Sequence, residues 1–536
     1  MAGLKDNVIK KNEMLVPFMG SKLSFITGQD PVGLLNISQQ TFAMLIPGAS
    51  NVTGRIRYYS FYCWFFGWYA KSIGSEDPKE FYKYLRRAEF VLALIGARNN
   101  ANGATSEERA GVSGITKAEE FYGSDRSEYS LSEGTGESTG TTEGSYWKNR
   151  RGVFGQNYVS PMRQIGLIRD KGNDSGIYIR TAFDKENTIT GKDLEEAFEE
   201  NVSDTVKTQF LEAVKSGVIS SNVLDDISTE FNMMQVPKGS LENKHLWSLL
   251  ISTDYPTSEN TNYFRRDTIK LYLESLSKNT TQLSVTDFVN KAYDNQGKVN
   301  GEVESTLMGW YYFQLSQFWH IVCASALSHF LNYLEQKAGD GWYEEHKLID
   351  ELVAETVLVL TEDFGANKEE FKGLKVPDLN NMALVQETHS KDAKQGLAYT
   401  FALLSVLVEQ NRDIIDALRS YAKQYQISSP SEFTSVYNDL EQRMHDSLEN
   451  FMSYFLKRYV LNRHQLVALH KMNNSQSTEK FLREDGYVRL IERIGFEFSS
   501  PRLGTLIAFC QDLNIISSDY DSITEDGLKI MKQLDS

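Results

Sequence analysis

Residues 305–334 read STLMGWYYFQLSQFWHIVCASALSHFLNYL, a stretch without a formally charged side chain. Length alone would allow this stretch to span a membrane. Its polar side chains, however, recur at helical spacing and form one neutral stripe: Gln314, Gln317, Ser325, Ser328 and Asn332. A polar stripe on an otherwise apolar helix is typical of a helix that is buried among other helices. The stretch therefore predicts a soluble core helix.

The flanking sequence indicates a mainly α-helical protein. Ten prolines in 536 residues are about 2%, against a usual ~5%, so long stretches can remain helical. Apolar residues recur every three or four positions through most of 203–470, which is the period of an amphipathic helix. A second aromatic stretch, YYSFYCWFFGWYA at 58–70, is too short to cross a bilayer. It predicts the core of an N-terminal helical unit.

Two segments share an order of predicted elements. Residues 160–183 read SPMRQIGLIRDKGNDSGIYIRTAF, which predicts a short helix after Ser160-Pro161, then a two-stranded hairpin, and from Thr190 a second helix. Residues 500–534 repeat this order. Both segments resemble winged-helix domains, over about 160–199 and 500–534. The resemblance implies two small winged-helix-like α+β modules in a multi-domain, mainly α protein, and domains of this kind bind DNA or other proteins.

Composition changes along the chain divide it into five predicted parts. They are a helical unit with an aromatic core helix at 1–98, a flexible Gly/Ser/Thr/Glu loop at 99–145, a winged-helix-like module at 146–202, a helical core at 203–449, and a basic helix, hairpin and second winged-helix-like module at 450–536.

The net charge and the cysteines limit the classes of protein to which this chain can belong. The chain has 56 Lys and Arg against 72 Asp and Glu, a net charge of −16, which argues against a protein that coats nucleic acid over its whole surface. Cys63, Cys323 and Cys510 each lie in an apolar run, which predicts buried, reduced thiols. The N-terminal residues lack the apolar core of a secretory signal. We therefore expect a cytoplasmic protein without a membrane segment.

No catalytic signature emerges from the sequence. The eight histidines and three cysteines show no metal-ligand spacing, and neither a nucleophile-elbow motif nor a phosphate-loop motif occurs. We therefore predict no metal site and no cofactor, and we identify no catalytic residue. The balance favours a protein that is not an enzyme, although an enzyme with an unrecognised site in the helical core remains an alternative.

Three acid-free windows stand out in this acidic chain, at 31–75, 144–169 and 450–478. Basic side chains in such windows can contact phosphates or an acidic partner. The residues predicted to bind nucleic acid or a partner are Lys148, Arg150, Arg151, Arg163, Arg169, Lys457, Arg458, Arg463, His464 and Lys471. Arginines beside aromatics suit base stacking or a protein interface, so Arg55, Arg57, Tyr58 and Tyr59 form a possible interface.

These features favour a non-enzymatic scaffold or adaptor subunit of a prokaryotic complex that handles nucleic acid, in genome maintenance or anti-phage (antiviral) defence. The first alternative is a DNA-binding or regulatory protein that uses the basic windows directly. The expected partners are other proteins and nucleic acid, the latter contacted directly or through the complex, with no membrane involved.

Overall fold

A computed structural model describes most of the chain. The described residues are 24–102, 111–123, 126–135, 149–172, 175–182, 189–253, 263–278, 283–294, 304–372, 374, 379–473, 476–517, 519 and 522–534.

The fold is mainly α-helical, as predicted. The α-helices span Leu35–Leu45, Arg57–Ser72, Pro78–Ala101, Ile115–Phe121, Leu131–Gly134, Val159–Gln164, Gly191–Asn201, Asp204–Ser216, Ser221–Ile227, Leu241–Ile251, Phe264–Lys278, Val285–Asp294, Glu304–Ala338, Glu345–Glu362, Asn381–Thr388, Ala393–Asn411, Ile415–Gln424, Phe433–Arg443, Leu448–Phe455, Asn462–Lys471, Leu503–Asp512 and Glu525–Leu534. Within the described ranges, two π-helical turns span Phe154–Tyr158 and Leu456–Leu461.

The strands of the described residues are short and form small separate sheets. Ser24–Phe25 pairs in parallel with Gln476–Ser477. The antiparallel pairs are Glu128–Ser130 with Val218–Ser220 and Ile168–Asp170 with Tyr178–Arg180. In a three-stranded sheet, Tyr487–Leu490 lies between Tyr343–Glu344 and Phe481–Glu484.

The chain divides into two compact units, each assembled from separate segments. Unit 1 comprises Met1–Thr41, Ala292–Lys298 and Leu307–Ser499, and unit 2 comprises Phe42–Lys291, Val299–Thr306 and Ser500–Ser536. The five-part division predicted from the sequence follows the chain order, whereas the two units do not, and it stays a prediction.

The helix Glu304–Ala338 supplies much of the core of unit 1. Trp319 packs against Phe433 with ring centroids 5.8 Å apart, and its indole N–H donates to the Ser431 carbonyl at 2.9 Å. The polar stripe is buried except for the half-buried Asn332. Ser325 meets the Thr400 hydroxyl at 2.9 Å, and Ser328 donates to the Ile494 carbonyl at 2.9 Å. Buried polar side chains are tolerated when they find such partners. None of the helices in the described ranges, this one included, is long and apolar enough to cross a bilayer.

The aromatic helix Arg57–Ser72 is the centre of unit 2 and is buried over most of its length. Phe61 and Trp64 meet Phe198 of the helix Gly191–Asn201 with ring centroids 6.0 and 5.3 Å apart. Large apolar rings of this kind contribute much of the stabilisation of a core because each removes a large apolar area from water. Cys63, Cys323 and Cys510 are free and buried, as predicted, and burial raises the pKa of each thiol.

The elements predicted for the two modules occur in part. The helix Val159–Gln164 precedes the hairpin Ile168–Asp170 with Tyr178–Arg180, and Thr190 caps the helix Gly191–Asn201 through a reciprocal capping box with Asp193. In the C-terminal segment a single β-bridge joins Ile516 and Ile523. These local elements do not establish winged-helix domains, which stay a prediction.

The segment 99–145, predicted as a flexible loop, includes short helices and a strand. Within its described residues, Ile115–Phe121 and Leu131–Gly134 are helical, and Glu128–Ser130 is a strand. Tyr129 and Leu131 are buried. The glycine- and threonine-rich residues 136–145 lie outside the described residues.

Candidate functional site

A concave surface of unit 2, which we call the basic cleft, has a volume of about 470 Å³. It is lined by Pro78, Lys79, Tyr82, Lys83, Arg86, Arg150, Arg151, Ser175 and Gly176. Five of these nine residues are basic and none is acidic. The cleft therefore presents a local positive charge in a chain whose net charge is −16.

One wall of the cleft is the first two turns of the helix Pro78–Ala101. Asp77 caps this helix by accepting from the Lys79 backbone N–H at 2.9 Å, and Pro78 occupies its first turn. Proline and a capping aspartate are favourable at these positions because the first N–H groups of a helix lack partners. Lys79, Lys83 and Arg86 follow at intervals of four and three residues, so they share one helix face.

The second wall is the chain from 149 to 152, and the buried carboxylate of Glu89 fixes it. Glu89 accepts from the backbone N–H groups of Val153 at 2.9 Å and Phe154 at 2.7 Å. Gly152 has φ +70°, and a Cβ added there would meet the Glu89 carboxylate and Arg86. This backbone favours glycine for both reasons. Arg150 and Arg151 immediately precede this fixed point, so their position is determined from the interior.

The turn of the hairpin Ile168–Asp170 with Tyr178–Arg180 closes the cleft. The Asp170 carboxylate accepts from the Ser175 hydroxyl at 2.6 Å and from the Gly172 backbone N–H at 3.2 Å. These bonds to its charged form lower the pKa of Asp170 against the opposing effect of desolvation. Asp170 is therefore ionised at neutral pH, and it holds the turn that presents Ser175 and Gly176 to the cleft.

Four of the five cations are exposed and uncompensated. Lys79, Lys83, Arg150 and Arg151 are exposed, and none forms an ion pair with another described residue. Arg86 differs because it is 8% exposed and lies near the carboxylate of Glu89. Like charges repel unless a counter-ion lies between them. The four exposed cations thus form a surface that favours an anion.

Tyr82 adds a neutral donor to the same surface. It is 8% exposed, and its hydroxyl has no hydrogen-bond partner in the part of the chain that the structure describes. Burial raises the pKa of this phenol above its ordinary value, so it keeps its proton. A buried donor without a partner costs about 1–3 kcal/mol, and an anion oxygen that reached this hydroxyl would remove that cost.

Of the residues predicted from the sequence to bind nucleic acid or a partner, Arg150 and Arg151 line this cleft. Lys148 lies outside the described residues. Arg163, on the helix Val159–Gln164, and Arg169, on the strand Ile168–Asp170, are exposed in unit 2 but do not line the cleft.

In unit 1, part of the predicted basic window holds residues 29–33 through hydrogen bonds to their backbone carbonyls, and of its two cations Arg463 is half-buried and Lys471 is exposed. Arg463 donates to the carbonyls of Val32 and Gly33, the latter at 2.8 Å. Lys471 donates to the carbonyls of Gln29 and Asp30 at 2.6 and 2.8 Å.

The other predicted residues of this window are His464, Arg458 and Lys457. His464 is buried, with Nδ1 2.9 Å from the Pro31 carbonyl and Nε2 accepting from the Lys480 N–H at 2.9 Å. Desolvation lowers the pKa of this imidazole, which keeps it in the neutral form that these two bonds require. Arg458 is largely exposed and lies over the rings of Tyr454 and Tyr459. Lys457 is half-buried.

The possible interface at 55–59 lies mostly in the interior of unit 2. Arg57, Tyr58 and Tyr59 are 1–2% exposed. Tyr58 packs against Tyr158 with ring centroids 5.1 Å apart, and Tyr59 donates to the Gly48 carbonyl. Arg55 pairs with Asp512 at 2.7 Å. The mixture of arginine and aromatic residues here builds a core.

Four residues that line the cleft were not predicted from the sequence: Lys79, Tyr82, Lys83 and Arg86. The signal was present in PKEFYKYLRR at 78–87, where basic residues recur on one helix face. Glu80 lies among them and Glu89 follows them, so a search for acid-free windows passes over this helix. Glu89 is buried beneath the cleft, and only the three-dimensional structure shows that it does not form an ion pair with the four exposed cations.

The chemistry available in the cleft is anion binding. Lysine and arginine suit phosphate oxygens, and arginine can make two parallel bonds to them. In the described part of the chain, no three His, Cys, Asp or Glu side chains are grouped so that they could hold a metal ion. No family model, curated protein or solved structure matches this chain, so its function is inferred from its own residues.

Proposed function

We propose that this chain is a non-enzymatic nucleic-acid-binding protein that holds the phosphate backbone in the basic cleft. One observation supports the proposal above all: Lys79, Lys83, Arg150 and Arg151 converge on one concave surface without ion-pair partners among the described residues. Such a cluster is unfavourable on its own because the charges repel. A polyanion relieves that repulsion and releases its own counter-ions.

The positive charge of the cleft contrasts with the net negative charge of the chain. This contrast supports a contact with nucleic acid that is confined to the cleft. With a net charge of −16, most of the surface repels nucleic acid, so the positive cleft would orient the approaching backbone. Lysine and arginine contacts to phosphates fix register and carry no sequence information directly. The proposed binding is therefore tolerant of sequence.

The test is binding of a labelled DNA duplex at low salt, measured by fluorescence anisotropy. The cleft variant combines Lys79→Ala, Lys83→Ala, Arg150→Ala and Arg151→Ala. Charge-assisted hydrogen bonds are worth about 1.5–3 kcal/mol each when fully formed, and 1.4 kcal/mol is tenfold in affinity. Because these cations are exposed and partly screened, we expect a loss of about a hundredfold in affinity.

A matched control removes the same number of positive charges elsewhere. Lys192, Lys238, Lys347 and Lys529 are exposed and lie outside the cleft. Alanine at all four should change the affinity by less than about threefold. Equal losses in the two variants would mean that only net charge matters, and no loss in the cleft variant would refute the site.

A second candidate function, the scaffold, is favoured by an apolar surface on unit 1. Leu466 and Leu469 of the helix Asn462–Lys471 are 52% and 63% exposed. Their spacing of three residues places them on one helix face, and neighbouring exposed leucines favour a protein contact. Leu466→Arg with Leu469→Arg should abolish a partner that co-purifies with the wild type. Leu358→Arg, at a leucine that is 48% exposed elsewhere in unit 1, should retain it.

A further inference from the structure

Unit 2 contains a second cavity, larger than the basic cleft and distinct from it. Its volume is about 900 Å³, within the usual range of small-molecule pockets. Its wall includes Arg55 and Arg57, the segment from Thr229 to Lys238, and the end of the helix Leu503–Asp512. We call it the arginine cavity. It shares no lining residue with the basic cleft.

Arg57 is held rigidly in this wall with one donor group unused. Its Nε bonds both oxygens of Glu242, at 3.2 and 3.3 Å, and its Nη1 donates to the carbonyls of Glu230 at 2.9 Å and Asn232 at 2.8 Å. Nη2 is buried and has no partner among the described residues. Buried polar groups without partners are uncommon, and this one belongs to a permanently charged side chain.

Glu242 does not satisfy that remaining donor, because its oxygens are already occupied. One oxygen accepts from the Ser60 hydroxyl, and the other accepts from Asn201 Nδ2 at 2.8 Å. The carboxylate therefore orients Arg57 from the side facing the core. The group left without a partner requires an acceptor that the described chain does not supply.

Arg55 contributes a second guanidinium to the same wall. Its Nη1 donates to Asp512 at 2.7 Å, and Asp512 also accepts from the Ile56 backbone N–H at 3.3 Å. The Nε and Nη2 groups of Arg55 make no hydrogen bond with other residues of the described ranges. Two arginines with unused donors on one cavity wall match the geometry of an oxyanion, which accepts several N–H bonds at once.

The rest of the wall limits what can accompany that oxyanion. Met234, Val236 and Pro237 provide an apolar surface, which would bury the body of a ligand. The cavity is also lined by Lys238 and by three acidic residues, Glu230, Asp512 and Asp519. The three carboxylates disfavour a ligand with many negative charges. The wall therefore suits one anionic group on a compact organic body.

We propose that the arginine cavity binds a small organic anion whose phosphate or carboxylate group lies between Arg55 and Arg57. This site is independent of the proposed nucleic-acid contact, because the two surfaces share no residue. Phosphate and carboxylate offer the same acceptor geometry to an arginine, so the experiment includes both.

The experiment is isothermal titration calorimetry of the full chain with AMP, butyrate and inorganic phosphate as separate probes. We expect one AMP or butyrate per chain with a Kd below about 1 mM, and weaker binding of inorganic phosphate because it lacks an organic body. Binding of inorganic phosphate as tight as that of both organic probes would contradict the role of the apolar wall. Absence of saturable heat with all three probes would refute the proposal.

The variant that tests the site is Arg55→Lys, which keeps the positive charge beside Asp512 and removes the unused guanidinium donors. We expect a loss of at least about tenfold in the affinity for the best probe, the equivalent of one charge-assisted hydrogen bond. A thermal unfolding curve identical to that of the wild type shows that the variant is folded. If Arg55→Lys is unstable, Asn201→Ala with Pro237→Ala removes other parts of the wall and should also weaken binding.

Lys83→Ala in the basic cleft is the matched control, and it should leave the binding of the small anion unchanged. Conversely, Arg55→Lys should leave the binding of DNA unchanged. Unchanged affinity for the small anion in Arg55→Lys would overturn the proposed site whatever the outcome for DNA. The failure of this inference is thus distinguishable from the failure of the proposed function.

Discussion

Glu89 links the interior of unit 2 to the basic cleft, which we propose binds phosphates. Its carboxylate accepts from two backbone N–H groups that follow Arg151 and from the Tyr62 hydroxyl at 3.0 Å. Burial raises the pKa of Glu89 to about 7, against the opposing effect of these hydrogen bonds. The residue therefore titrates near neutrality while it holds one wall of the cleft.

Glu89 should make stability depend on pH. Its folded pKa of about 7 lies above the ordinary value of 4.5, so its contribution is fully present below pH 4.5 and is lost as the pH rises through 7. A difference of this size is worth about 3 kcal/mol. We expect the free energy of unfolding in urea to fall across this range in the wild type and to fall less in Glu89→Gln. Equal slopes would contradict this account of Glu89.

Gly152 should tolerate a side chain less well than Gly176, although the two have nearly the same backbone. Gly152 has φ +70° and Gly176 has φ +72°. A Cβ at Gly152 meets Glu89 and Arg86, whereas nothing lies within 4 Å of a Cβ at Gly176. Gly176→Ala should cost about 1–2 kcal/mol for the left-handed backbone alone. Gly152→Ala should cost about 1–3 kcal/mol more, and equal losses in chemical denaturation would contradict the packing described here.

At the scale of elements, the long apolar helix was predictable and the cleft was not. The neutral stripe from Gln314 to Asn332 predicted a buried helix over 305–334, and the structure has Glu304–Ala338. The helical period of the stripe lies within one continuous segment, so it can be recognised from that segment alone. The cleft joins residues near 80, 150 and 175, and no local pattern indicates that three such distant segments meet. The sequence therefore indicated Arg150 and Arg151 but not the helix that faces them.

Trp319 tests the role of the helix Glu304–Ala338 in unit 1. It is 2% exposed and packs against the rings of Phe433, Phe455 and Tyr459. Trp319→Ala should destabilise by about 3–5 kcal/mol because it leaves a large cavity. Trp342 is 37% exposed, so Trp342→Ala should cost clearly less. Recovery of the wild type only from a detergent-extracted membrane fraction would overturn the assignment of a core helix.

At the scale of the whole molecule, the fold class was predictable and the assembly was not. Low proline content and helical periodicity predicted a mainly α protein, which the structure shows. Unit 1, however, brings residues 29–33 against Arg463, His464 and Lys471. Basic residues that looked like a binding surface there satisfy backbone carbonyls. A sequence shows the type of a side chain, but its partner depends on contacts between distant segments.

The net charge of the whole chain limits where the chain can bind a polyanion. A chain with a net charge of −16 can bind a polyanion only where its cations are concentrated, and the affinity must then depend steeply on salt. The basic cleft supplies such a concentration in Lys79, Lys83, Arg150 and Arg151.

The most direct measurement of this claim is the dependence of DNA affinity on salt, for the wild type and for the variant with alanine at these four positions. Each phosphate contact contributes about −0.9 to the slope of log K against log salt concentration. We predict that the four substitutions flatten this slope by up to about 3.6. The control with Lys192, Lys238, Lys347 and Lys529 replaced should keep the slope of the wild type. A slope that is the same in the wild type and the cleft variant would contradict the central claim that the phosphate backbone lies in the basic cleft.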